Sequence, residues 1–143
     1  MFQARFAAVA AVFLAGAISF GAIPTGAAPN PDAAAYSNCE KACLACAKAC
    51  AACHKHCLAM VKSGDKGHAV SAALSADCLD VCTLTAKVIS RKGPLTSVVC
   101  DACMKACDAC GEECGKSPNM APMAECKKAC NACSAACRAL IGT

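Results

Sequence analysis

The stretch CEKACLACAKACAACHKHC, residues 39–57, decides the fold of this chain. Its six cysteines follow one another at spacings of 4, 3, 4, 3 and 4 residues. That alternation has a period of 3.5, which places all six side chains on one face of an α-helix. The same alternation returns in two later stretches, 100–114 and 126–137, and a single pair, Cys78 and Cys82, lies between them. The chain therefore carries repeated cysteine stripes, each suited to one helix.

Clusters of Gly, Pro and Ser divide the cysteine-bearing part of the chain into four segments. The breaks fall at 63–67, 92–94 and 115–118, and the segments span about 32–63, 68–91, 95–114 and 120–140. All four are rich in Ala, the strongest helix former, and Gly142 stands where a helix would end. Because short connections make neighbouring helices antiparallel, the sequence predicts an all-α fold: an antiparallel up-down four-helix bundle with a cysteine-lined core.

Composition excludes several classes of protein. The 143 residues include 17 cysteines, with 57% hydrophobic, 17% charged and 3% aromatic residues, so the chain is not of the disordered class. The net charge of +4 is spread evenly, without a basic run that interleaves with aromatic residues. We therefore expect no nucleic-acid partner.

The first 28 residues differ from the rest and contain no cysteine. Arg5 precedes a nearly unbroken apolar run, Phe6–Phe20, and small residues follow near Ala27. This layout predicts a secretory signal peptide over 1–28, an exported, periplasmic protein, and a bundle domain over 29–143. The run is too short for a membrane-spanning helix.

The cysteine pattern allows three interpretations. An exported disulfide-stapled module is one, although an odd count and helical spacing oppose it. A c-type haem module is another, because Cys50–His54 matches C-x-x-C-H. Against it, only one of the Cys-x-x-Cys pairs is followed by His, and both of its cysteines belong to an unbroken stripe.

The third interpretation, a multinuclear thiolate metal store, fits the pattern best. Soft thiolates favour Cu(I), and a continuous lining has no isolated set of four ligands of the kind that zinc takes. One Cu(I) per thiolate also leaves the interior neutral. We predict multiple Cu(I) ions, about one per cysteine, and every cysteine is a predicted ligand: Cys39, Cys43, Cys46, Cys50, Cys53, Cys57, Cys78, Cys82, Cys100, Cys103, Cys107, Cys110, Cys114, Cys126, Cys130, Cys133 and Cys137.

The residues that extend the stripes differ between the two ends of the bundle. At the end where Cys114 lies, the extensions are soft or imidazole ligands, which predict a metal entrance: Met60, His68, Met120 and Met123. At the opposite end they predict an apolar plug: Tyr36, Ile89, Thr96 and Leu140. His54 and His56 flank the first stripe and are expected to be solvated, and Met104 is expected to pack.

We find no catalytic constellation. The sequence shows no Ser-His-Asp arrangement, phosphate loop or paired-carboxylate site, and its Cys-x-x-Cys pairs lie inside helices. We therefore expect no enzymatic activity.

The stripes of 39–57, 100–114 and 126–137, with the poorer second helix, resemble the bacterial copper storage proteins. The resemblance covers about residues 32–140. It implies a four-helix bundle that binds many Cu(I) ions, an entrance at the Met and His end, and assembly into homo-oligomers. Membership in the exported branch would imply supply of a copper enzyme or chaperone, or buffering and detoxification of copper. Exported members have twin-arginine leaders, whereas this chain has no Arg-Arg pair.

Overall fold

The computed structural model describes residues 31–142, and these form four α-helices: α1 (Ala33–Lys62), α2 (Ala69–Ser90), α3 (Thr96–Cys114) and α4 (Ala121–Ile141). Every helix boundary lies within one residue of the segment predicted from sequence. One turn of 3-10 helix, Lys66–His68, follows the first break and was not predicted. The predicted signal peptide over 1–28 lies outside the described residues.

The helices form a square arrangement around one core. Helix α1 packs against α2 and α4, and α3 packs against the same two neighbours. Among the described residues, the diagonal pairs α1/α3 and α2/α4 have no Cα atoms within 8 Å of each other. Since the connections are short, consecutive helices run antiparallel. The predicted all-α, up-down four-helix bundle is confirmed.

Local signals in the sequence set the ends of the helices. The Asp32 carboxylate caps α1 by accepting a hydrogen bond from the Ala35 amide at 2.7 Å. Pro31 and Pro94 lie just outside the helices that follow them, where a missing amide hydrogen costs nothing. Gly142 ends α4 in the left-handed region with a φ of 73°.

A glycine allows α3 and α4 to approach closely. A Cβ atom on Gly111 would lie 3.3 Å from the Cβ of Cys130 and 3.4 Å from the Asn131 side-chain oxygen. A larger residue here would push α4 outward and separate the sulfur atoms of the two helices. The close approach thus helps to set the width of the core.

Helix α2 is the most apolar of the four. By length and composition alone, Lys66–Ser90 is apolar enough to cross a membrane. A core helix of a soluble bundle meets the same criterion, and nine residues of α2 are buried against its neighbours. Its composition is explained by packing in the bundle.

The predicted plug is only partly closed. Ile89, Thr96 and Leu140 are buried, whereas Tyr36 is half-exposed, with the Lys92 ammonium 5.6 Å from its ring centre. An open groove of about 820 Å³ at this end of the bundle is bordered by Tyr36, Lys92, Thr96 and Leu140. Tyr36 lies about one turn before Cys39, the first cysteine of α1.

Candidate metal centre

All seventeen cysteine side chains lie in the interior of the bundle. Each has 0% of its surface exposed, and each is a free thiol. The reason is local: a 3.5-residue period keeps the stripe of each helix facing the same neighbours along its whole length. At about 1.5 Å per residue, the stripe from Cys39 to Cys57 extends roughly 27 Å. The interior is therefore a long tube of sulfur.

Sulfur atoms from different helices lie in van der Waals contact. The Sγ atoms of Cys39 and Cys137 are 3.5 Å apart, and those of Cys53 and Cys114 are 3.6 Å apart. In the middle of the tube, Cys46 Sγ lies 3.7 Å from Cys130 Sγ and 3.8 Å from Cys50 Sγ. A disulfide bond would place its sulfur atoms about 2.0 Å apart. The structure contains a packed layer of thiols and no disulfide framework.

These contacts group the thiols into overlapping ligand sets. In each set all ligand atoms lie within 4.8 Å of one another, so that several sulfurs can reach one ion. Five of the sets along the tube are Cys39, Cys100 and Cys137; Cys43, Cys103, Cys133 and Cys137; Cys46, Cys82, Cys107 and Cys133; Cys46, Cys78, Cys107 and Cys130; and Cys50, Cys78, Cys110 and Cys130. Because consecutive sets share members, the arrangement suits bridged ions along the tube better than separate sites.

The tube holds no positive side chain that would stabilise bare thiolates. Within residues 31–142, no Lys or Arg is buried, and the buried polar residues are His68, three serines and two threonines. Burial raises the pKa of the Cys57 thiol to about 12, and the neighbouring Cys53 adds to the effect. The hydrogen bond with Cys114 is the main reason that the pKa of Cys53 is also raised. These metal-free thiols are thus protonated at neutral pH.

Helix α2 contributes hydroxyl groups where the other helices contribute thiols. Ser71, Ser75 and Thr85 are buried on the same inward stripe as Cys78 and Cys82. The Ser75 hydroxyl donates to the carbonyl oxygens of Ser71 at 2.6 Å and Ala72 at 3.1 Å. Its hydrogen is therefore used within the helix, as buried hydroxyls require. The side of the tube that α2 lines therefore has soft ligands only near its middle, at Cys78 and Cys82.

The predicted entrance residues lie at one end of the bundle, with different degrees of burial. Met123 is almost fully buried, and its Sδ lies 3.4 Å from Cys57 Sγ and 3.7 Å from Cys53 Sγ. His68 is buried, whereas Met60 and Met120 are half-buried. Met123 thus continues the line of cysteine sulfurs directly, and the more exposed methionines lie farther out.

The two histidines beside the first stripe are less exposed than predicted. His54 is half-buried, and its Nδ1 lies 2.7 Å from the Ala72 carbonyl oxygen, to which it donates. His56 is also half-buried, and its Nε2 is buried without a hydrogen-bond partner. The expectation that both are solvated is wrong, because α2 covers this side of α1. Leaving such a group unpaired costs about 1–3 kcal/mol.

The sequence did not indicate a binding role for His56, because this residue lies one position outside the cysteine stripe. The available signal was His68, which ends the turn before α2 and was already predicted at the same end of the bundle. Their ring centres lie 6.5 Å apart with an interplanar angle of 87°.

The same geometry opposes the haem alternative. Cys50 and Cys53 are fully buried among other thiols, with Cys50 Sγ 3.7 Å from Cys126 Sγ. His54, the third member of the motif, lies instead in a groove between α1 and α2. A haem attached to both cysteines would have to displace the sulfur core, so C-x-x-C-H arises here from the stripe and an adjacent histidine.

Comparison with known proteins agrees with this geometry. The family model described as copper storage protein matches residues 32–142. The structure of the copper storage protein Ccsp from Streptomyces lividans loaded with 10 copper equivalents is 36% identical, with a TM-score of 0.72 over 80% of this chain and 89% of that chain. A further structure from Streptomyces lividans is described as a cytosolic copper storage protein with five coppers; it is 36% identical, with a TM-score of 0.70 over 77% of this chain and 94% of that chain.

Two further relatives have the same kind of sequence. The Cu(I)-bound copper storage protein BsCsp3 is 33% identical, with a TM-score of 0.69 over 75% of this chain and 98% of that chain. The cysteine-rich protein YhjQ of Bacillus subtilis is 40% identical over 43 residues, which are 30% of this chain and 40% of that protein. The chain thus spans less than half the length of this curated relative. Taken with the match to the family model, the sulfur-lined four-helix bundle shows that this chain belongs to the copper storage protein family.

Proposed function

We propose that this protein stores multiple Cu(I) ions, about one per cysteine, with all seventeen core cysteines as ligands. The observation that carries the proposal is the set of seventeen fully buried sulfurs in mutual contact, arranged in overlapping ligand sets. A protein with one or two resident metal ions needs only a few such ligands. A lining that continues from Cys39 to Cys57 provides room for a row of ions.

Charge explains why the stored ion is monovalent. Each Cu(I) replaces one thiol proton, so the interior is neutral before and after loading. A divalent ion held by four thiolates would leave two negative charges in the tube, where no Lys or Arg within residues 31–142 is buried to offset them. Cu(I) also prefers soft thiolate ligands.

Copper enters the tube at the end that carries Met60, His68, Met120 and Met123. The half-buried thioethers of Met60 and Met120 offer weak, neutral ligands near the surface. Met123 then brings an ion within reach of Cys57 and Cys53, because its Sδ contacts both sulfur atoms. The ligands thus become stronger along the path inward. Among residues 31–142, the opposite end, which carries Ile89 and Leu140, offers no soft ligand outside the cysteines.

The store acts without catalysis and belongs to the exported branch of the family. Support for export comes from the cysteine-free leader over 1–28, with its apolar run at Phe6–Phe20. In the periplasm the stored copper would supply a copper enzyme or chaperone, or remove excess copper. Assembly into homo-oligomers is part of this proposal and rests on the resemblance to the family.

Copper capacity follows the number of core thiols. Anaerobic titration of the fully reduced protein with Cu(I) against a chelator should saturate at about seventeen ions per chain, one per cysteine. The double variant Cys78→Ala/Cys82→Ala should bind about two fewer ions. Ser71→Ala/Ser75→Ala, on the same stripe of α2, is the control and should keep full capacity. Saturation of the parent protein at one to four ions would contradict the proposal.

The rate of loading should depend on Met123. Met123→Leu keeps the volume of the side chain and removes the thioether sulfur, so we expect uptake of Cu(I) from a chelator to slow about tenfold at unchanged capacity. Stopped-flow absorbance of the Cu(I)–thiolate band in the ultraviolet measures this rate. Met104→Leu, a buried methionine beside the stripe, should load at the parent rate. Equal rates of Cu(I) uptake for the parent, Met123→Leu and Met104→Leu would contradict a role of Met123 in copper entry.

Acidification should weaken Cu(I) binding. The pKa of Cys57, raised to about 12, lies above the whole working range, so this thiol is protonated and an ion that binds to it must displace a proton. The apparent affinity should therefore rise about tenfold per pH unit between pH 6 and 8. Competition with a chelator of known pH dependence measures the slope. An affinity independent of pH would mean that the metal-free tube already holds thiolates.

Export predicts the mass of the mature chain. Protein recovered from the periplasm after expression of the full sequence should begin near Ala28, which intact mass spectrometry determines. A variant with Phe13→Lys and Leu14→Lys in the apolar run should stay in the cytoplasm with its leader attached. Recovery of the parent protein only from the cytoplasm, at full length, would contradict export and leave the metal store unaffected.

A further inference from the structure

A pair of imidazoles lies beside the sulfur tube at the entrance end: His68, which is buried, and His56, which is half-buried. Only 8% of the surface of His68 is exposed, and neither of its ring nitrogens has a hydrogen-bond partner. The Nε2 atom of His56 is likewise buried and unpartnered. The two rings meet edge to face, with their centres 6.5 Å apart. Three ring nitrogens are therefore buried at one place with their bonding capacity free.

A carboxylate completes this cluster. Asp65 has one oxygen, Oδ1, that accepts a hydrogen bond from the Gly67 amide at 3.1 Å and fixes the turn before α2. Its other oxygen, Oδ2, lies 3.2 Å from His68 Nδ1, away from the direction of a good hydrogen bond. The carboxylate is thus held beside His68 by the backbone, and it places a negative charge at the rim of the bundle.

The other charged groups near this end are already paired or exposed. Glu113 accepts a hydrogen bond from Ser71 at 3.1 Å and forms an ion pair with Lys116, and this pairing lowers the pKa of the Glu113 carboxyl. Lys62 and Lys66 are exposed on either side of the turn. Asp65 is also exposed, at 45% of its side chain, but its carboxylate lies 3.2 Å from His68 Nδ1 and is therefore the acidic group that accompanies the imidazole pair.

We infer that His56, His68 and Asp65 form a binding site for a divalent transition-metal ion, Cu(II) in particular, separate from the Cu(I) sites of the tube. Imidazole and carboxylate are borderline and hard ligands, which suit divalent ions, whereas the thiolates and thioethers of the tube suit Cu(I). Among the divalent ions of the first transition row, Cu(II) binds such ligands most strongly. An ion at this place would use the buried nitrogens of His56 and His68, which now lack hydrogen-bond partners.

The neighbouring histidine provides a natural control. His54 lies two residues from His56 on the same helix, but its Nδ1 donates to the Ala72 carbonyl oxygen and its ring lies in the groove between α1 and α2. It is not directed at His68. A non-specific affinity of surface histidines for copper would involve His54 as much as His56, whereas the proposed site involves only His56.

The test uses protein whose tube is already filled, so that its thiols cannot compete or be oxidised. The reduced protein is saturated anaerobically with Cu(I), and its capacity is recorded. Cu(II) is then titrated in steps to about two equivalents per chain, and samples are frozen for electron paramagnetic resonance. We expect one Cu(II) per chain with nitrogen hyperfine splitting from two imidazoles. Titration with Zn(II), which has no redox chemistry, should give one weaker site for which Cu(II) competes.

Variants assign the ligands. His56→Ala and His68→Ala should each weaken Cu(II) binding at least 100-fold, and Asp65→Asn about 10- to 100-fold. The Cu(I) capacity of His56→Ala and Asp65→Asn, which lie outside the proposed Cu(I) path, should stay at the parent value. His54→Ala should bind Cu(II) like the parent, and circular dichroism confirms that all variants keep their helices. His68 also belongs to the proposed Cu(I) entrance. The measured Cu(II) affinity does not depend on that role, because the tube is loaded with Cu(I) to equilibrium first.

Two results would overturn the inference. One is Cu(II) binding that His56→Ala leaves unchanged or that His54→Ala weakens equally. The other is a Cu(II) spectrum with a sulfur-to-copper charge-transfer band and no nitrogen splitting, which would place the ion at the thiols. A low Cu(I) capacity with normal Cu(II) binding would count instead against the proposed store, so the two proposals fail separately.

Discussion

The structure depends on the burial of seventeen thiols in an interior without a buried Lys or Arg within residues 31–142. In such an interior a thiol can be neutral in two ways, by keeping its proton or by exchanging it for a monovalent ion. The protonated form lets the cysteines act as small hydrophobic residues, among the types most often buried in proteins. The ion-bound form uses the same positions as ligands. One set of side chains is therefore both the hydrophobic core of the metal-free protein and the lining of a metal store.

This double role accounts for the other features of the bundle. Alanine between the cysteines provides helix stability without bulky side chains that would fill the tube. Gly111 lets α3 approach α4, so that sulfur atoms of facing helices meet. Helix α2, with only two cysteines, uses Ser71, Ser75 and Thr85, whose hydroxyls bond within the protein. The apolar residues of α2 add hydrophobic packing to the bundle, because the small cysteine side chains alone contribute little.

The two ends of the tube differ in their chemistry. At one end Ile89 and Leu140 continue the stripes as apolar residues beneath the half-exposed Tyr36. At the other, Met123 continues the line of sulfurs, and the buried His68 lies next to the half-buried His56 and the Asp65 carboxylate. Soft neutral ligands and borderline nitrogen ligands thus occur together at this end of the bundle.

The sequence by itself determined the helices, their boundaries to within one residue, the antiparallel bundle and the inward position of all seventeen cysteines. A period of 3.5 residues fixes where a side chain points on its own helix, and breakers such as Ser63–Gly67 fix where a helix ends. Only the tertiary structure decided which residues meet across helices: Cys46 with Cys130, His54 with the Ala72 carbonyl, and His56 with His68. Those contacts depend on how neighbouring helices are rotated and offset relative to one another. Packing sets both quantities, including the close approach at Gly111 and the turn at Asp65. The periodicity of a single helix carries no information about the rotation or the offset of its neighbour.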